Sequence, residues 1–206
     1  MTELPESATA LDPGEQQIYS RIAELEGEID RLKTQLEDSR KAKQILFLTD
    51  GALRDEVVKF FTTGLDMTAK ISEQTKEGFW LVAEALSEEW GFGEVRDSVG
   101  NVSREMLART MINRHDSGKS DDFPAILVVN TFNETASLEE RDQGPTIDVV
   151  KRASEDRVLL VRTLDLVRLR QKEAAGFAGL KEFQDALRGG GGWFEVNPSL
   201  ASKLHS

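Results

Sequence analysis

The chain has 206 residues, 39% of them apolar, with ten Phe and three Trp, enough for one domain with a real core and an appendage. Its net charge of −11 excludes a surface that attracts nucleic acid everywhere, because polyanion binding relies on Lys and Arg neutralising phosphates; any such contact must come from a local patch. The absence of cysteine excludes disulfides, thiolate zinc sites and cysteine nucleophiles within the chain, and suits a reducing compartment.

The first residues, Met1 to Glu6, are acidic and contain proline, unlike the basic start and apolar stretch of a signal peptide. The longest apolar run, Phe123 to Val129, is too short to span a bilayer, so no membrane association and a cytoplasmic location are expected. A disordered tail is expected over residues 1–13. From there Ile18, Ile22, Leu25, Ile29, Leu32 and Leu36 recur in alternating steps of four and three, a heptad seam. With Ile22, Ile29 and Leu36 at a and Ile18, Leu25 and Leu32 at d, the pattern favours a parallel dimer. In that register Arg21 (g) faces Glu26 (e) of a second copy, and Glu28 (g) faces Lys33 (e). A coiled-coil helix over residues 14–47 and a homodimer are therefore expected. The competing reading is an amphipathic helix folded back on its own domain.

Next, Leu53, Val57, Phe60 and Phe61 recur at helix period, and Leu65, Met67, Ala69 and Ile71 alternate as on a strand. An apolar run follows at Phe79 to Ala83. Then comes a short strand carrying Glu94-Val95-Arg96, on which alternation places a carboxylate and a cation on one face and Val95 on the other. A second helical segment leads to the continuous apolar strand Phe123 to Val129, expected to be buried on both faces, as is Val158 to Val161. Between these two, Pro145 opens a helix with Ile147, Val150 and Ala153, a crossover suited to parallel strands. Asn130 and Asn133, at a strand end, are turn residues or ligand contacts.

The succession of a helix, three strands, a helix and a strand, with Glu94-Val95-Arg96 on the third strand, resembles the PD-(D/E)xK nuclease superfamily that includes restriction endonucleases. The resemblance covers residues 48–171. It implies an α/β fold, a restriction-endonuclease-like mixed sheet flanked by helices, here preceded by the coiled-coil helix and followed by a C-terminal helix and Gly-rich tail (172–206). The family places an acid on the second strand, a Glu or Asp, any residue and Lys on the third, and in many members a Glu in the first helix. Here those positions hold Gly78, Glu94 with Arg96, and Arg54, so only Glu94 matches residue by residue.

On that resemblance Glu94 is the metal ligand, and Glu94, Arg96 and Glu77 are the candidate catalytic residues. Magnesium takes octahedral oxygen donors, usually one or two carboxylates with phosphate and water, so a site reduced to Glu94 implies weak or absent magnesium. Glu77 lies one residue from the expected position and needs a bulge to re-aim it. Arginine keeps its proton, so Arg96 suits gripping a phosphate better than activating water. For DNA, the candidate contacts are Arg96 with Arg104, Arg109 and Lys119, joined by Arg114 on the same helix. Arg162, Arg168, Arg170 and Lys172 form a second basic segment.

Neither Gly189 to Gly192 nor Gly118-Lys119-Ser120 fits a phosphate loop; the former reads as a helix stop that lets Trp193 and Phe194 dock. Three functions emerge as expectations: a dimeric nuclease-fold protein with an eroded metal site, associated with nucleic acid or with proteins; an active magnesium-dependent DNA endonuclease completed by Glu77, Asp55 or Glu56; and a coiled-coil scaffold without a nucleic-acid role.

Overall fold

The computed structural model describes residues 13–65, 67–83, 88–135, 137–174, 179–197 and 202–205. The chain divides into two compact units, the first ending at Lys41 and the second beginning at Ala42. Of the tail expected over residues 1–13, residues 1–12 lie outside the described residues and Pro13 begins the first helix.

The first unit is one helix. α1 spans Pro13–Gln44, 32 residues, and its last turn belongs to the second unit. Pro13 stands at its first position, where a missing N–H costs nothing. Ile18, Ile22, Leu25, Ile29, Leu32 and Leu36 are each 41–61% exposed.

The second unit begins with the buried Ala42, Ile45 and Leu46, followed by α2 (Asp50–Lys59), which ends in a π turn at Phe60–Gly64. Leu53, Val57, Phe60 and Phe61 pack against the sheet, as their helical period requires. The strands β1 (Ala69–Ile71), β2 (Gly78–Ala83) and β3 (Glu88–Asp97) form an antiparallel run. After α3 (Arg104–Asp116) comes β4 (Ala125–Asn130), parallel to β3; after α4 (Leu138–Arg141) and α5 (Ile147–Glu155) comes β5 (Val158–Arg162), parallel to β4. The helices α6 (Thr163–Ala174) and α7 (Gly179–Gly189) lead to β6 (Gly192–Val196), parallel to β5, and β7 (Ser202–His205) closes the sheet antiparallel. Among the described residues seven strands thus lie in a mixed sheet in the order of the chain.

Alternation along the strands sorts the core into two layers. Ile126, Val128, Leu159 and Val161 point toward α2, with Phe79, Leu81 and Val95; Ala125, Leu127, Val129, Val158 and Leu160 point the other way, with Leu107, Val150 and Ala153 of α3 and α5. The central strands β4 and β5 are buried on both faces, as their unbroken apolar sequences require. Since Val95 faces α2, Glu94 and Arg96 face α3.

Four expectations need correction. The alternation from Leu65 yields a strand only at Ala69–Ile71; Leu65 and Met67 are buried at the end of the π turn instead. The boundary at residue 47 moves to 41, because Ala42, Ile45 and Leu46 anchor the helix end in the second unit's core. Residues 172–206, expected as a C-terminal helix and Gly-rich tail after the nuclease-like domain, belong to the second unit: α7 and β6 supply Phe183, Leu187 and Phe194 to its main core. Ile147, expected in the crossover's apolar face, is 80% exposed; Val149, Val150 and Ala153 carry that face. Among the described residues no helix is long and apolar enough to cross a membrane.

Candidate functional site

β3 runs between β2 and β4, and Phe92, Glu94 and Arg96 alternate onto the face that α3 covers. Ser103 caps α3, its hydroxyl accepting from the Met106 N–H, which fixes where the helix begins and so where Asn113 falls. Glu94 lies beneath that helix with no exposed surface. Its Oε1 accepts from the Arg96 guanidinium and from Asn113 Nδ2 at 3.0 Å. Arg96 is 18% exposed, and its Nη1 lies 4.0 Å from the Glu77 carboxylate. Glu77 therefore reaches the guanidinium rather than joining Glu94 as a second ligand. Among the described residues the register between β2 and β3 shifts at Leu81/Val82, too far along to re-aim Glu77.

Gly78 pairs directly with Glu94 across the two strands. A Cβ built at Gly78 would lie 1.8 Å from Thr75 Oγ1. The Thr75 hydroxyl thus fills the space where the resemblance expects an acidic side chain. Thr75 Oγ1, Glu94 Oε2 and Arg96 Nε are buried without a hydrogen-bond partner among the described residues. Gly78→Ala should destabilise the protein by about 1–3 kcal/mol through overpacking, measured by urea denaturation. An unchanged midpoint would mean that Thr75 simply turns aside.

These residues do not fit magnesium. The donor set is a single buried carboxylate whose Oε1 is already paired with a guanidinium that repels a cation, and the one remaining oxygen, Oε2, falls short of the octahedral donors magnesium takes. Among the described residues no group of three or more His, Asp or Glu is arranged to hold a metal. Asp55 is held by Arg54 at 2.7 Å and Glu56 by Lys59 at 3.2 Å, both on α2, across the sheet from the Glu94 face.

The basic residues are equally engaged. Arg104 pairs with Asp148 at 2.9 Å, and Arg109 with Glu105 at 2.7 Å. Lys119 binds Glu89 at 2.9 Å, with its ammonium over the rings of Trp80 and Phe123. Arg114 leaves the expected patch altogether: it is buried and donates to the backbone carbonyls of Phe123 and Asp156, and burial lowers its pKa from the usual value. A cleft of about 220 Å³ beside Arg96 is lined by Asp97, Ser103, Glu105, Met106 and Arg109, so two cations there meet two acids.

The second basic segment is likewise structural. Arg162 is buried against Asp165, and Lys172 is buried with its ammonium 2.9 Å from Glu182. Arg168 binds both oxygens of Asp142, and this hydrogen bonding holds the Asp142 carboxyl below its ordinary pKa against the opposing effect of burial. Arg170 lies over the Phe60 ring. Asn130 is no ligand contact: its Nδ2 donates to the Leu46 and Leu48 carbonyls, and its Oδ1 accepts from Arg141 and Thr163. Asn133 donates to Asp97.

Sequence reasoning missed Asn113 and Thr75. Asn113 sits on a polar-looking helix face, and nothing local distinguishes a solvated amide from one that holds a buried carboxylate. For Thr75 the only signal was Gly78 itself, a missing side chain that some neighbour had to replace. No protein-family profile, curated protein or solved structure matches the chain.

Proposed function

We propose that this chain is a non-cleaving protein of restriction-endonuclease-like build, whose α/β unit works as a protein-interaction module. The observation that carries this reading is the burial of Glu94 against Arg96 and Asn113, with Thr75 in the place of a second acid. The build itself is supported by the order α2, three antiparallel strands, α3 and a parallel fourth strand, and by Gly78 standing across from Glu94. A cleaving site needs a carboxylate free to hold a metal and a group able to exchange a proton. Glu94 is paired with a guanidinium, and an arginine side chain suits gripping a phosphate better than exchanging a proton.

The choice of protein over nucleic acid as partner rests on charge. Arg96, Arg104, Arg109 and Lys119 each face a carboxylate of their own chain, in a protein of net charge −11. A phosphate would have to displace those acids, and it would gain less from counterion release than from free cations.

Two measurements test this. Supercoiled DNA incubated with the protein and magnesium or manganese should remain uncut. Fluorescence anisotropy with a duplex should give no Kd below about 100 μM near physiological salt, outside the usual nonspecific range. Cleavage abolished by Glu94→Ala would overturn the reading in favour of an active endonuclease. Binding that weakens steeply with salt, with a shallower slope for Arg104→Ala and Arg109→Ala, would replace the protein partner with nucleic acid.

A further inference from the structure

We propose that residues 18–36 of α1 dock a second copy of this chain as a parallel, two-stranded coiled coil. The inference deepens the interaction reading by naming the partner and its orientation. Six seam residues, Ile18, Ile22, Leu25, Ile29, Leu32 and Leu36, stand 41–61% exposed along one face, a contiguous apolar stripe of the kind that marks an interaction site. The stripe is narrow, with a and d positions only, which matches a two-stranded seam rather than the wider face a helix presents to a globular core.

A second copy fits because the seam complements itself in shape and charge. Ile22 and Ile29 at a, with Leu25 and Leu32 at d, are the side chains that parallel two-stranded packing accepts best. In parallel register Arg21 meets Glu26 of the other copy and Glu28 meets Lys33, each twice by symmetry. Reversing one helix to keep the same apolar layers would set Ile22 against Leu32, bring Glu26 opposite its own counterpart, and do the same to Glu28. Like charges then face each other at the centre. Within one chain Arg21 rests on Glu24 and Lys33 on Asp30, in pairs whose side chains are at least 65% exposed and so give way easily to a partner.

The seam also ends where a dimer contact should end. The next d and a positions are Ser39 and Lys43, which would place a hydroxyl and a pair of like charges between the helices. Beyond them Ala42, Ile45 and Leu46 are committed to the core of their own second unit.

Since the chain lacks cysteine, one introduced thiol reports orientation without background. Light scattering at about 50 μM should give twice the 23.0 kDa chain mass, and Ile22→Lys with Ile29→Lys should return it to one chain with the α/β unit's thermal transition unchanged. Ile18→Cys should form a disulfide-linked dimer under mild oxidation, because d positions meet their own counterparts only in the parallel arrangement. A monomeric wild type, or a mass above two chains, would overturn the proposal. So would an Ile18→Cys protein that cross-links only when mixed with a Leu36→Cys protein, the signature of antiparallel helices. DNA cleavage would remove the functional reading while leaving this dimer intact, so the two failures are distinguishable.

Discussion

Asp165→Ala should destabilise the α/β unit by about 3–5 kcal/mol, the range for breaking a buried ion pair by removing one partner. Asp165 has no exposed surface and takes hydrogen bonds from the Arg162 backbone N–H and guanidinium, from Trp193 Nε1 and from the Val196 N–H. It thus ties the end of β5 to β6, which share only a short parallel register. Without it, the buried guanidinium keeps the Trp193 ring, the Asp142 carbonyl at 2.7 Å and the Asp142 carboxylate at 3.4 Å. Urea unfolding followed by tryptophan fluorescence would check this, and Asp165→Asn should recover only part of the loss because an amide cannot neutralise Arg162. A shift below about 1 kcal/mol would show that Asp142 suffices.

Glu94→Ala should cost a similar amount, about 3–5 kcal/mol, by leaving the Arg96 guanidinium and the Asn113 amide without their shared acceptor. The sign of this effect separates a structural carboxylate from a catalytic one. Residues held for catalysis often sit in strained, destabilising environments, and replacing them can stabilise the fold. Glu94→Leu combined with Arg96→Met should restore most of the lost stability, since a buried ion pair exchanged for apolar groups of similar volume is often neutral or better. A stabilised Glu94→Ala protein, judged by the denaturation midpoint, would argue that the site is kept for chemistry.

What the sequence disclosed follows from periodicity. The apolar runs at β4, which begins at Ala125 rather than Phe123, and at β5, the helical spacing of Leu53, Val57, Phe60 and Phe61, and the crossover α5, which begins at Ile147 just after Pro145, follow their patterns, because burial on two faces, one face or a stripe writes itself into residue order. The heptads of α1 marked one long helix for the same reason. What stayed hidden depends on contacts between distant residues. Arg114, Arg141 and Arg162 are among the largest fully buried side chains, yet an isolated arginine in sequence reads as a surface charge. Their burial is tolerated because backbone carbonyls 6 to 95 residues away, or Asp165, accept their hydrogen bonds. Likewise Glu94 and Arg96 were legible as neighbours on one face, whereas the helix that seals them was not. The Gly run before Trp193 marked a helix stop, but its positive-φ residues Gly190, Gly191 and Gly192 also let the chain pass close to α5 and β5, where a Cβ at Gly191 would meet the Ala153 carbonyl at 2.7 Å and the Val158 nitrogen at 2.8 Å.

The sheet's spatial order, β1 through β7 without a swap, sets how the molecule can be assembled. Each new strand joins an edge made by the strand just before it, so no pairing waits for a distant segment, and the entropy of closing a long loop is never demanded at once. A chain emerging from its N-terminus can add strands in the order they are made. The same order gives truncation a simple cost: ending the chain after β5 would strip Asp165 from Arg162 and turn a doubly covered central strand into a bare hydrophobic edge, the arrangement most prone to pairing with other molecules.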